Sequence, residues 1–307
     1  MTVRSKRLNN SCSTYESGCH TSGSDSYEKS LFNWDLISYE DLPDWMKDNE
    51  FIRFYYRPQL KSYELCLWSM FRVHNQTTNI WSHLLAAIIF NYIFMNQFPE
   101  FLITRADRII FSSVYLGSIL SFYGSITFHT FLCHSKRMAS LVAKLDYIGI
   151  SVHIYGNAIG LSYFTFYCDD QWFKWIINFV TIFFIVCFIL NNMSIFDKNT
   201  PFSRTFRAII FFSFGFTSVI PQIYWFTSDK LNSIDTSLAT NNLILMDIFY
   251  VLGTIFYTTR IPERYLIGGC DLFHSHMWFH ICSFLGSFFS YKAIEEIAYQ
   301  RSLSHCL

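Results

Sequence analysis

Two histidines four residues apart, in His276-Met-Trp-Phe-His280, open an otherwise apolar stretch. On a helix that spacing places both imidazoles on one face, one turn apart. A pair so placed is a common way to offer two ligands to one metal ion. His129 is a third candidate, near the end of another apolar stretch, with Ser125 four residues before it on the same face. Asp146 opens a further stretch in Leu145-Asp-Tyr-Ile-Gly149. Each residue also has a plainer reading. His129 alone reads as an interfacial histidine bonded to a neighbouring helix, and Asp146 as a carboxylate favoured by the dipole at a helix N-terminus.

Three histidines would leave one coordination position of zinc open. Sites of that kind hold water and are catalytic, whereas structural sites are closed by four protein ligands. Zinc brings the pKa of such a water to about 7, and Asp146 could orient the water or pass a proton. The sequence therefore nominates His129, His276 and His280 as ligands of Zn2+, Asp146 as the catalytic carboxylate and Ser125 as a supporting group. His274 precedes His276 by two residues and points to another face. His83, His134 and His153 have no partner at metal spacing, and His20 and His305 lie in the tails.

The elements that must position these groups are membrane helices. Of 307 residues, 51% are hydrophobic and 15% charged, and Phe occurs 34 times. Apolar runs at about 80–98, 109–131, 146–167, 172–193, 206–226, 242–259 and 276–294 are each long enough to cross roughly 30 Å of hydrocarbon as a helix. They are too long, and too apolar on all sides, for barrel strands of about ten alternating residues. The runs predict an all-α integral membrane protein, a bundle of seven transmembrane helices. The predicted organisation is a disordered cytoplasmic tail at 1–35, a cytoplasmic juxtamembrane segment at 36–79, a membrane domain at 80–294 and a short C-terminal tail at 295–307. Within the juxtamembrane segment, Ser38 to Asp48 reads as a capped turn and a short helix.

Orientation follows from the basic residues of the short loops. With the N-terminus cytoplasmic, Lys136, Arg137, Lys144, Lys198, Arg204, Arg207, Arg260 and Arg264 lie inside, and Arg105, Arg108, Lys174 and Lys230 outside. Eight against four favours that arrangement, with the C-terminus outside or lumenal. His129, Asp146, His276 and His280 then share one membrane depth, near the cytoplasmic face, although they come from three helices. A polar group in a membrane helix is costly and usually functional. A net charge of zero argues against nucleic acid as a partner, and nine scattered cysteines without a Cys-x-x-Cys pair argue against a disulfide framework or a cysteine zinc finger. No Asp-Arg-Tyr triplet follows the third run and no Asn-Pro-x-x-Tyr lies in the seventh, so nothing points to G-protein coupling.

Further motifs are Leu42-Pro-Asp-Trp-Met-Lys-Asp-Asn49, Tyr56-Arg57, His74-Asn-Gln-Thr-Thr-Asn-Ile-Trp-Ser-His83, Cys133-His134-Ser135, Phe166-Tyr-Cys168, Arg260-Ile-Pro-Glu-Arg264, Cys270-Asp271 and Phe273-His-Ser-His276. Together with Ser125-x-x-x-His129 and Leu145-Asp-Tyr-x-Gly-Ile150, they make the chain resemble, over residues 40–295, the progestin and adiponectin receptor family. That family is related to hemolysin III, and its fungal zinc-homeostasis branch is the part most resembled. The resemblance implies seven helices with a cytoplasmic N-terminus, zinc on His129, His276 and His280, and Asp146 close to the metal. It also implies a role in zinc and lipid or sterol homeostasis, in the endoplasmic reticulum or plasma membrane, with membrane lipids such as ceramide or a sterol-related lipid as partners. The function expected is that of a receptor-like protein acting as a ceramidase-like lipid amide hydrolase. The alternative is a non-catalytic receptor or regulator with structural zinc. Gln76 stands where the family usually has Glu, Leu266-Ile267 replaces an expected proline, and Tyr224 stands where relatives often carry His.

Overall fold

Every apolar run falls on a helix, and the least apolar helices lie at the centre of the fold. In a computed structural model, residues 34–167, 169–193, 201–227, 237–269 and 271–303 are described. The compact unit is Asp35–Leu307. The tail predicted at 1–35 lies, but for its last two residues, outside the described residues. The long helices are α1 (Thr77–Asn96), α2 (Arg105–Phe131), α3 (Lys136–Thr165), α4 (Asp170–Asn192), α5 in two pieces (Pro201–Gly215 and Val219–Thr227), α6 (Ser237–Thr259) and α7 (Ser275–Leu303). A 3-10 turn, Phe216–Ser218, joins the halves of α5.

Five helices, α1, α2, α4, α5 and α6, are long and apolar enough to cross a membrane by length and composition. The remaining two, α3 and α7, are 30 and 29 residues long but more polar. Their position explains this. α3 packs along α2 and also meets α4, α5 and α7, while α7 lies along α6 and also touches α1, α2 and α3. A helix shielded by its neighbours can carry polar groups that lipid would not tolerate. The outer helices show the complementary pattern. Leu85, Ile88, Tyr92 and Met95 form an exposed apolar stripe at helical spacing on α1, and Trp175, Ile182 and Ile189 form another on α4. Surface of this kind needs lipid around it, so the molecule is a multi-pass membrane protein.

Helix ends depart from the apolar runs where the first turns are charged. α3 begins at Lys136, capped by the Ser135 hydroxyl, which accepts from Met138 N at 3.3 Å. Asp146 is therefore ten residues inside the helix. A dipole effect fades within the first turn, so the plainer reading of Asp146 does not hold. α7 runs on through Ile294 to Leu303. Its far end is tied back by Arg301, whose Nη2 meets Asp107 Oδ1 of α2 at 2.9 Å. In the juxtamembrane segment Ser38 donates to Asp41 Oδ2 at 2.6 Å, and Asp44–Met46 forms one 3-10 turn where a short helix is predicted. A helix the apolar pattern did not signal, Tyr63–Trp68, lies before α1.

α2 and α3 approach closely because glycine lies between them. A Cβ at Gly149 would sit 2.9 Å from Leu120 O and from Ser121 Cα, both backbone atoms that cannot swing aside. We expect Gly149→Val to push the helices apart at the depth of Asp146 and to lower stability by about 1–3 kcal/mol, read from the unfolding midpoint in detergent. Gly215→Ala is the control. Its Cβ meets nothing within 4 Å, and the midpoint should stay unchanged.

Candidate metal centre

The site is assembled from the ends of α2 and α7, each held by buried charge. α7 starts at Ser275, whose backbone N–H and hydroxyl donate to the carboxylate of fully buried Glu263. Asn49 Nδ2 donates to the same carboxylate at 3.0 Å. Asp271 accepts from Arg53 N and Phe54 N at 3.1 and 2.8 Å, and Arg260 Nη2 donates to Asp48 O at 2.7 Å. These bonds fix the loop before α7 to the juxtamembrane segment and set the direction in which His276 and His280 project. At the other end Arg57, 2% exposed, donates to the carbonyls of His129 and Thr130 and to Ser69 Oγ. A buried guanidinium thus satisfies the last carbonyls of α2, and it fixes the turn that carries His129.

The side chains of His129, His276 and His280 converge, with one ligand atom from each lying within 4.8 Å of the others. His129 Nε2 and His276 Nε2 are 3.2 Å apart. Among the described residues this is the one group of three or more such side chains able to hold a metal ion. The outer nitrogens of His129 and His280 are occupied. His129 Nδ1 donates to Gln76 Oε1 at 2.7 Å, and Asn79 Nδ2 donates to that same oxygen at 2.8 Å, which fixes it as the acceptor. His280 Nδ1 meets Asn79 O at 3.1 Å and Ser82 Oγ at 3.2 Å. With its Nδ1 proton committed in this way, a histidine turns the lone pair of Nε2 inward. A buried set of neutral imidazoles suits a borderline divalent cation such as zinc.

Asp146 is buried and faces the same cavity of about 930 Å³, whose walls also carry His129, His276 and His280. It makes no hydrogen bond or ion pair to another described side chain. Ser125 lines the cavity too, but its hydroxyl is enclosed and without a hydrogen-bond partner. The structure therefore brings the three histidines together and sets Asp146 and Ser125 on the wall of the same cavity.

The other described histidines stand outside the converging three, although His83, His153 and His274 line the same cavity. His83 stacks on His280, ring centroids 3.8 Å apart, and His134 stacks on Tyr63 at 4.2 Å. His153 is held in a polar network deeper in the bundle by Ser118 Oγ, Tyr250 OH and Ser287 Oγ at 3.1, 2.9 and 3.1 Å. Asp247 accepts from Gln222 Nε2 at 3.3 Å. In the loop before α1, burial with Arg57 close by pushes His74 down to about 2. Being neutral, His74 uses Nδ1 to accept from Gln76 N at 3.1 Å, which seats the residue that holds His129. Burial also lowers His274, whose Nε2 meets Asn75 O at 3.0 Å.

A family model described as "Haemolysin-III related" matches residues 71–291, from just before α1 into α7, with all three histidines and Asp146 inside the match. The chain belongs to the haemolysin-III-related family. It is 35% identical over 277 residues to "Progestin and adipoQ receptor-like protein 1" of Caenorhabditis elegans, covering 89% of this chain and 63% of the relative. It is 36% identical over 280 residues to "Adiponectin receptor protein" of Drosophila melanogaster, covering 89% and 62%. Against "ADIPOR-like receptor IZH2" of Saccharomyces cerevisiae it is 28% identical over 271 residues, covering 84% and 85%. The chain thus spans about three fifths of the length of the two animal relatives.

The sequence reading missed α1 as a contributor to this haemolysin-III-related site. Gln76, Asn79 and Ser82 touch two of the three candidate ligands, and the signal was their spacing of three, which puts them on one face of a helix. Removing an outer partner of a metal-bound histidine typically costs roughly 10–100-fold in metal affinity. We expect Gln76→Ala to weaken zinc retention by about that factor, and Gln76→Glu to strengthen it. Competition against a chromogenic chelator measures both.

Proposed function

We propose that this protein is a zinc-dependent hydrolase of lipid amides, with seven spans, a cytoplasmic N-terminus and a site near the cytoplasmic face. The observation that carries this reading is the placement of three converging histidines in the wall of a large cavity, with a carboxylate on the same wall that no described side chain bonds. A three-histidine set that borders open space leaves a position for a reactant, which a closed structural site does not. His129, His276 and His280 would hold the ion, and zinc when bound supplies Lewis acidity and activates water at neutral pH.

The chain's own groups do the rest. Asp146 takes a proton from the attacking water and returns it to the departing amine, so that amide and water become carboxylic acid and amine. Leu161, Met246 and Phe249 give the cavity apolar wall for an acyl chain. Ser125, one turn before His129 on α2, would be a supporting group through its hydroxyl, which no described residue bonds and which is left for the bound reactant. Ceramide is the substrate class proposed, because a cavity inside a bundle wrapped in lipid favours a substrate drawn from the bilayer. On this reading the protein takes part in zinc and lipid homeostasis.

A second reading is a receptor or regulator in which the same zinc is structural, and the receptor names of the relatives favour it. The test is a paired measurement on purified protein, bound zinc per chain and fatty acid released from a ceramide panel. Release that disappears on zinc removal and returns on zinc addition supports the hydrolase. Bound zinc without release from any ceramide supports the receptor.

A further inference from the structure

Beside the candidate centre, and outside the residues given to it, two cysteines face each other. Cys66 lies on the short helix Tyr63–Trp68 and Cys133 in the turn between α2 and α3, 67 residues apart in sequence. Their Sγ atoms are 3.7 Å apart and both residues are fully buried. The other two described cysteines, Cys187 and Cys282, lie on α4 and α7. Leu60 N donates to Cys133 O at 3.1 Å, and Cys133 Sγ lies 3.8 Å from Thr130 O. Thr130 O also accepts from Arg57. The two sulfurs, Arg57 and the end of α2 thus form one contiguous cluster.

We propose that Cys66 and Cys133 are an oxidisable dithiol whose disulfide latches the juxtamembrane segment to the α2–α3 turn. A disulfide has sulfurs about 2.05 Å apart, so the pair must close by roughly 1.6 Å, a movement open to a single-turn helix at the membrane surface. The chemistry favours Cys133 as the attacking sulfur. The hydrogen bond it shares with Cys66 and the nearby Arg57 guanidinium pull Cys133 down against its burial, the condition that makes a thiol nucleophilic. With a peroxide as oxidant, the Cys133 thiolate attacks one peroxide oxygen and the other leaves as hydroxide, giving a sulfenic acid. Cys66 sulfur then attacks the Cys133 sulfur, and the sulfenic hydroxyl leaves as water with the Cys66 proton, while the proton that Cys133 gave up to become a thiolate neutralises the hydroxide of the first step. Two thiols and one peroxide become one disulfide and two waters, the sulfurs giving up two electrons. On the orientation proposed above, the pair lies, buried, on the side of the reducing cytosol, where such bonds are transient and redox-sensing. The resting form is then the dithiol.

The experiment treats purified full-length protein in detergent with hydrogen peroxide and maps its cysteines by mass spectrometry without reduction. The expected result is a peptide pair joined through Cys66 and Cys133, formed before Cys187 or Cys282 reacts. The unfolding midpoint should rise by roughly 5 °C, and dithiothreitol should reverse it. Cys66→Ser should show no rise and leave Cys133 as a sulfenic acid that dimedone traps, while Cys282→Ser should behave as wild type. Should Cys66→Ser not fold, the wild-type map decides alone. The proposal is overturned if either sulfur pairs with a different cysteine, or if the two react no faster than Cys282. Zinc-free and zinc-loaded protein should give the same cross-link, so failure of the hydrolase reading leaves this result standing.

Discussion

Replacing Asp146 with Asn is expected to reduce fatty acid release by roughly 10²–10⁴-fold, the usual contribution of a general acid–base group, while bound zinc per chain stays at the wild-type level. The substitution keeps the size of the side chain and removes only its capacity to take a proton. The three histidines approach through α2 and α7, and Asp146 comes from α3, so none of the candidate ligands loses a neighbour in the chain. Its carboxylate holds no other described side chain in place, so the bundle has little reason to collapse. A loss of 100-fold corresponds to about 2.7 kcal/mol of transition-state stabilisation. Unchanged release from the variant would remove Asp146 from the chemistry. Release and zinc lost together would make it a metal ligand rather than a proton carrier. A receptor with structural zinc predicts a third pattern, in which the variant is silent in every readout.

The architecture was legible because lipid imposes a simple rule. A chain that must satisfy every backbone group inside hydrocarbon becomes helical, and the apolar runs mark where. The rule weakens for helices that neighbours shield. α3 begins ten residues before the apolar run and α7 continues past it, because Lys136, Lys144 and Glu295 belong to helix without belonging to the apolar signal. For that reason hydrophobicity alone placed Asp146 at a helix start, where it looked like a dipole partner, while in the fold it lies almost three turns inside. Tyr63–Trp68 is too short to show any period, and its N-cap, the Ser62 hydroxyl, is one residue among many serines.

The candidate site was half legible. His276 and His280 sit on one helix, where spacing alone pairs them, and His129 joined them only through the alternation of membrane crossings. What spacing could not supply was the support. Gln76 looked like a departure from a family pattern, yet its side-chain oxygen lies 2.7 Å from His129 Nδ1. The contact spans 53 residues of sequence and depends on how α1 lies against α2, which no local pattern encodes. His153 likewise had no partner at metal spacing, because its partners are hydroxyls on three other helices. Hydroxyl residues are common throughout the chain and carry no spacing signature of their own.

His280→Ala should abolish tight zinc binding, a larger effect than the Gln76 variants, because it removes a candidate ligand and not the partner of one. Protein dialysed against a chelator and reloaded should retain wild-type zinc in the parent and little in the variant. A ligand that binds only the folded state stabilises it by about 1.4 kcal/mol for each tenfold of affinity. The unfolding midpoint of the variant should therefore stop responding to added zinc. The neighbouring ring supplies the control. His83 stacks on His280 at 3.8 Å, so its loss disturbs the same packing, but it is not one of the three converging side chains. His83→Ala should lower the midpoint yet keep the zinc response. If both variants keep that response, the cluster is a stacked polar core and the metal assignment falls. If both lose it, the effect is one of packing, and the distinction between His83 and His280 disappears. Only loss in His280→Ala with retention in His83→Ala identifies the imidazole nitrogen of His280, rather than its ring, as the part that matters.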